Sequence, residues 1–114
     1  MNLQLLRQYV ADGKLTECEM GDLSLFNYTI ATQFSGDWDN TTLACRGLVW
    51  DTQRDCIVAR PFDKFFNFGE RTKHLPSPEG AVIMEKYDGC LGICFLHYGD
   101  VHITTRGSFY SEQA

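Results

Sequence analysis

The order of apolar and polar positions divides this chain into a helical start and a strand-rich remainder. In "NLQLLRQYVADGK", Leu3, Leu6, Tyr9 and Val10 recur at helical spacing and Gly13 supplies a stop, which predicts a short first helix. "DLSLFNYTI" is dense in aromatic and branched residues and predicts a strand, although its period is irregular. "TQFSGDWDNTT" is polar and contains glycine, so a loop is expected. "LACRGLVWD", "TQRD" and "CIVAR" predict strand, turn, strand. "PFDKFFNFGERTKHLPSPEG" is irregular, aromatic and basic, and it closes in a Pro-rich linker from Leu75 to Gly80. Then "AVIMEKYDG", "CLGICFLHYGD" and "VHITTRGSF" predict three meander strands with turns at Asp88-Gly89 and Gly99-Asp100. The expected class is therefore α+β, an antiparallel-rich β meander with few helices. At the end, Ser111 and Glu112 announce a helix that has no body, which reads as a chain cut short or encoded short.

Bulk properties narrow this picture. The 114 residues suffice for one domain with a small core, at 44% hydrophobic content. No apolar run is long enough to cross a bilayer and no secretory leader is apparent, so the expectation is a cytoplasmic protein without a membrane partner. Five cysteines (Cys18, Cys45, Cys56, Cys90 and Cys94) without a leader argue for reduced thiols. Cys90 and Cys94 with His97 and His102 could be imagined as a zinc set. Strand alternation instead aims both cysteines at one face as small core residues, and no CxxC knuckle supports a metal. The net charge of −5 speaks against bulk electrostatic binding of nucleic acid. The distribution is uneven: Arg46, Arg54, Arg60, Lys64, Arg71 and Lys73 make the centre locally basic, as a phosphate site or a salt-bridged surface would be.

The chemistry concentrates in "VIMEKYDGCLGI". On a strand, Val82, Met84, Lys86 and Asp88 share one face, which runs from apolar packing into an ammonium and a carboxylate. The plain reading is a strand end where Lys86 snorkels to water and Asp88-Gly89 turns. The sharper reading is a nucleophilic lysine. A neutral amine can attack the α-phosphate of a nucleotide, provided desolvation or nearby cations favour loss of its proton. Such chemistry needs cationic clamps on phosphate and an aromatic slot for the base. Arg46, Lys64 with its aromatic neighbours and Arg106 are candidates. Trp38 and Trp50 read as packing or loop-anchor aromatics, Phe65 and Phe68 as core, and His74, His97 and His102 as surface or strand histidines.

Taken together, "LACRGLVWD", "ARPFDKFFNFGE", "MEKYDGCLGI" and "TTRGSFYSEQA", in this order, resemble the phage T4 RNA ligase 1 family of covalent nucleotidyltransferases. The resemblance covers about the last two-thirds of the chain strongly. It implies that residues 1–114 are the front half of a nucleotidyltransferase (adenylation) domain. It further implies an ATP-dependent RNA ligase that uses Mg²⁺ and joins RNA 5′-phosphate to 3′-hydroxyl ends through a lysyl-AMP intermediate. Lys86 matches the lysine that becomes adenylylated, with Asp88 and Gly89 completing that motif. Arg46 matches an arginine required for nucleotide handling, and Lys64 and Phe66 match an essential lysine and aromatic. Arg106 occupies the place of a basic residue that is usually lysine. Glu85 would lie where the backbone meets the adenine edge. Cys90 stands where serine is common.

The family's downstream acidic and lysine elements have no counterpart in these residues, and no metal ligand is identifiable. A second reading follows: a non-catalytic nucleotide-binding remnant, or one half of a split ligase that pairs with a separately encoded C-terminal half.

Overall fold

The structure is a computed structural model that describes residues 1–67 and 79–110. Helix α1 (Leu3–Ala11) starts where the N–H of Leu5 donates to Asn2 Oδ1 at 2.7 Å, and it ends before Gly13, whose φ is 77°. The chain continues through β1 (Leu15–Met20) and β2 (Leu23–Tyr28) into two short helices, α2 (Ile30–Ser35) and α3 (Asn40–Ala44). Strands β3 (Arg46–Asp51) and β4 (Cys56–Ala59) follow, and the second sheet is formed by β5 (Ile93–His97) and β6 (Asp100–Thr104). The first sheet runs β1-β2-β3-β4 with every neighbour antiparallel. Tyr98 and Gly99 turn β5 into β6 with φ values of 51° and 82°, the two left-handed residues that a tight hairpin requires.

Packing makes three layers. On one face of the four-stranded sheet, Phe26, Tyr28, Leu48 and Trp50 meet Leu6 of α1. On the other, Leu23, Leu25, Val49 and Ala59 meet Ile93, Phe95 and Phe109. β2 and β3 are thus covered on both sides, which explains why "DLSLFNYTI" shows no clean alternation. Asp51 pins the layers together. Its wholly buried carboxylate accepts the N–H groups of Gln53 and Arg54 at 3.0 and 2.9 Å, and its second oxygen lies 3.0 Å from His97 Nε2. The Arg54 N–H first, and the His97 bond after it, hold the Asp51 carboxyl below its ordinary value.

The fold is α+β and rich in antiparallel pairing, as expected, with four corrections. The polar stretch read as a loop contains α2 and α3, because Thr29 caps the first and a reciprocal Asp39–Thr42 capping box starts the second. Residues 81–90 carry no helix or strand and are exposed throughout, so the meander lacks its first strand. An apolar run becomes a strand only beside a partner edge, and β5 takes its partner in β6. Cys90 and Cys94 are exposed rather than core. Ile93 and Phe95 take the inner face of β5, and Cys94 between them faces out. Phe65 is 50% exposed rather than core. Phe68, Arg71, Lys73, His74, most of the Pro-rich linker and the Ser111 helix start lie outside the described residues.

Candidate nucleotide site

Arg46 opens β3 beside a bulge between Phe26 and Asn27. The bulge sets Asn27 opposite Arg46 and turns the strand end toward a cavity of about 410 Å³. Arg46, Gly89 and Arg106 line that cavity together with Asn27, Cys90 and Thr105. Three stretches far apart in sequence therefore meet at one place. Gly47 makes this possible: any Cβ there would strike Ile93 Cδ1 and come within 3.1 Å of Arg106 Cα, and its φ of 93° suits glycine. The described side chains of the lining carry two guanidiniums and no carboxylate, so the cavity favours an anion. Beside it, Arg46 Nε and Asn27 Oδ1 are buried without a hydrogen-bond partner among the described residues, an unspent donor and acceptor that a polar ligand could use.

A row of rings runs beside the cavity. Arg106 Nη1 donates to Tyr28 Oη at 2.7 Å, and its guanidinium lies 5.3 Å from the Tyr28 ring centroid. Tyr28 meets Trp38 edge-on at 5.0 Å, and Trp38 meets Phe66 edge-on at 5.6 Å. Lys64 Nζ stands 5.0 Å from the Phe66 centroid, while Arg46 stands 5.1 Å from the Phe65 centroid. The segment bearing Lys64 and Phe66 is docked through its backbone, where Lys64 N–H donates to Leu43 O at 2.8 Å. Asp39 fixes the loop of Trp38 from below. Its carboxylate caps α3 and accepts the Tyr9 hydroxyl at 2.7 Å. Burial works to raise the Asp39 carboxyl, but the Thr42 N–H and the Tyr9 hydroxyl bring it below its ordinary value.

The sequence-predicted residues are thus partly gathered. Arg46, Gly89 and Arg106 share the cavity, and Lys64 and Phe66 join the ring row next to it. Glu85, Lys86 and Asp88 lie on the exposed stretch that leads into Gly89. Asn27, Tyr28 and Trp38 were not singled out for function. Their signal lies in spatial neighbours from other elements, which a one-dimensional reading does not contain. Among the described residues no three His, Cys, Asp or Glu side chains converge as a metal centre would require.

A family model described as RNA ligase matches residues 44–114, a span that includes Arg46, Lys64, Phe66, Lys86 and Arg106. The chain belongs to the T4 RNA ligase 1-like family. It is 35% identical over 102 residues to a protein of Autographa californica nuclear polyhedrosis virus named "Putative bifunctional polynucleotide kinase/RNA ligase". That similarity takes in 80% of this chain and 14% of the viral protein. RNA ligase 1 of bacteriophage TS2126 is 33% identical over 73 residues, which is 55% of this chain and 18% of the phage enzyme. This ligase-family chain therefore spans less than a fifth of the length of either relative.

Proposed function

We propose that residues 1–114 form the front part of the nucleotidyltransferase domain of an ATP-dependent RNA ligase, with Lys86 as the residue that accepts AMP. The observation that carries this reading is the meeting of Arg46, Gly89 and Arg106 at one cationic cavity. Gly89 follows Lys86 by three residues, so the segment bearing the amine enters the cavity wall. Arg46 and Arg106 would clamp phosphate oxygens. Lys64 would add a third cation, and Phe66 an aromatic face for the base. Asp88 and Gly89 would shape the turn after the nucleophile, and the Glu85 backbone would meet the adenine edge.

In the first step the Lys86 amine, having lost its proton to solvent, attacks the α-phosphorus of ATP. A P–N bond forms, the P–O bond to pyrophosphate breaks, and the two arginines stabilise the charge that develops on oxygen. An RNA 5′-phosphate oxygen then takes the AMP, which returns the amine, and a 3′-hydroxyl displaces AMP to seal the strand. Mg²⁺ would arrive on the triphosphate and would offset negative charge on its oxygens. Sealing of RNA ends is proposed for the longer protein of which these residues are part, or for a pair with a separately encoded C-terminal half. Its compartment would be the cytoplasm. No helix among the described residues is long and apolar enough to cross a membrane.

Intact-mass spectrometry after incubation with ATP and Mg²⁺ tests the reading. The expected result is a mass gain of one AMP that is absent in Lys86→Ala. A folded chain that binds no ATP would overturn it. ATP binding without an adduct would favour the second reading, nucleotide binding without transfer.

A further inference from the structure

Trp38 sits in the loop between α2 and α3, outside both sheets, yet it is the member of the ring row that touches both ends of the candidate site. One edge-on contact joins it to Phe66, the ring beneath Lys64. A second joins it to Tyr28, whose hydroxyl and face both hold Arg106. The interplanar angles are 77° and 80°, so each contact sets a ring edge against a ring face, which is the attractive geometry for aromatic pairs. The indole itself is held from the protein side. It packs against the cluster of Leu6, Leu15, Phe26 and Leu48, and its neighbour Asp39 is tied to Tyr9 and to the start of α3.

We infer that Trp38 is a positioning residue that couples the Lys64–Phe66 side of the site to the Tyr28–Arg106 side, so that neither side sets its geometry alone. This rests on the nucleotide-site reading above for its consequence, although the coupling itself is a property of the ligand-free chain. The physical basis is that a close-packed row of rigid rings transmits displacement, because a gap of about half to one ångström between rings forfeits about a quarter to a half of their contact energy. Phe66 and Arg106 lie 40 residues apart in sequence, and Trp38 stands between the ring of one and the ring that holds the other. A Trp38 that merely filled space would contribute to stability without linking the two.

Two measurements on the full 114-residue chain decide this. In ¹H–¹⁵N spectra without nucleotide, Phe66→Leu should move the Arg106 Nε–H resonance, and the same change made in a Trp38→Leu background should leave it in place. An Arg106 resonance that ignores Phe66→Leu in the Trp38 chain would overturn the inference, whatever the outcome with ATP. In ATP titrations, Phe66→Leu and Arg106→Lys should be non-additive by about fivefold in the Trp38 chain and additive in Trp38→Leu. Additivity in both backgrounds would overturn the coupling. Absence of ATP binding by the parent chain would instead count against the nucleotide-site reading and leave the spectral test to judge Trp38. Trp38→Phe keeps a ring and should restore the spectral response, which separates coupling from a general loss of packing.

Discussion

The two sheets of this chain are built to different standards of closure. The four-stranded sheet buries β2 and β3 between α1 on one side and the β5–β6 hairpin on the other, with Phe26, Leu25, Leu48 and Val49 wholly out of water. The hairpin side offers one buried face only. Its outer face leaves Leu96, Val101 and Ile103 exposed, and the preceding stretch leaves Val82 at 79% and Ile83 at 97% exposure. Yet the exposed side carries the proposed Lys86 as well as Gly89 and Arg106 of the cavity lining, while the closed side carries Arg46. On the proposed reading, the difference teaches that the closed sheet acts as a platform and that the candidate site is laid along its rim, where backbone can approach a ligand.

The largest break in this comparison should come from the platform. Phe26→Ala removes a fully buried ring from the face shared with α1 and should cost about 3–5 kcal/mol, measured by urea unfolding. Next comes the contact between the two regions. Gly47→Ala would drive a methyl into Ile93 and the Arg106 backbone at a positive φ, and should destabilise by about 2–4 kcal/mol. It should also weaken nucleotide binding by separating Arg46 from Arg106, which isothermal titration would read.

A milder separation should follow from acid. The folded Asp51 carboxyl titrates below its unfolded value of about 3.9, so its contribution is complete above that pH. It is lost as pH falls through the lower folded value. Thermal melts from pH 6 to pH 2 should therefore drop most steeply below about pH 4, and Asp51→Asn should flatten that drop because the titrating group is gone. The smallest effect should come from the open side. Ile83→Ser should change stability by less than about 0.5 kcal/mol in thermal melts, since the side chain it replaces is already in water.

Sequence reading recovered the elements whose apolar spacing is enforced by burial. α1, β2, the β3-turn-β4 unit and the β5–β6 hairpin all fall within the stretches the pattern marks, although Leu43 and Ala44 belong to α3 and the hairpin turns at Tyr98-Gly99, one residue before the expected Gly99-Asp100. It missed β1 because "LTECEM" is a polar edge strand, and its burial shows only at Leu15 and in part along the rest. It missed α2 and α3 because both are held by their caps rather than by an apolar face. Threonine in place of glutamate at the third position hid the capping box. The strand expected before Lys86 failed for a different reason: periodicity says which face would be buried, but not whether a neighbouring strand exists to pair with it. The candidate site divides in the same way. Arg46, Lys64, Phe66 and Arg106 were legible through short motifs. Asn27, Tyr28 and Trp38 acquire their place only when β2 and the α2–α3 loop are brought beside them.

The five cysteines, spread along the chain, carry one last consequence. Burial pushes the Cys45 thiol up to about 12 and shuts it away from solvent, so it is inert toward oxidants and alkylating reagents. Cys90 and Cys94 stand open, and only Cys90 lines the cavity. With Cys94 replaced by serine and Cys18 and Cys56 partly shielded, a small environment-sensitive dye would attach first at Cys90. The fold thereby furnishes an optical gauge of cavity occupancy, placed by the chain itself one residue after Gly89.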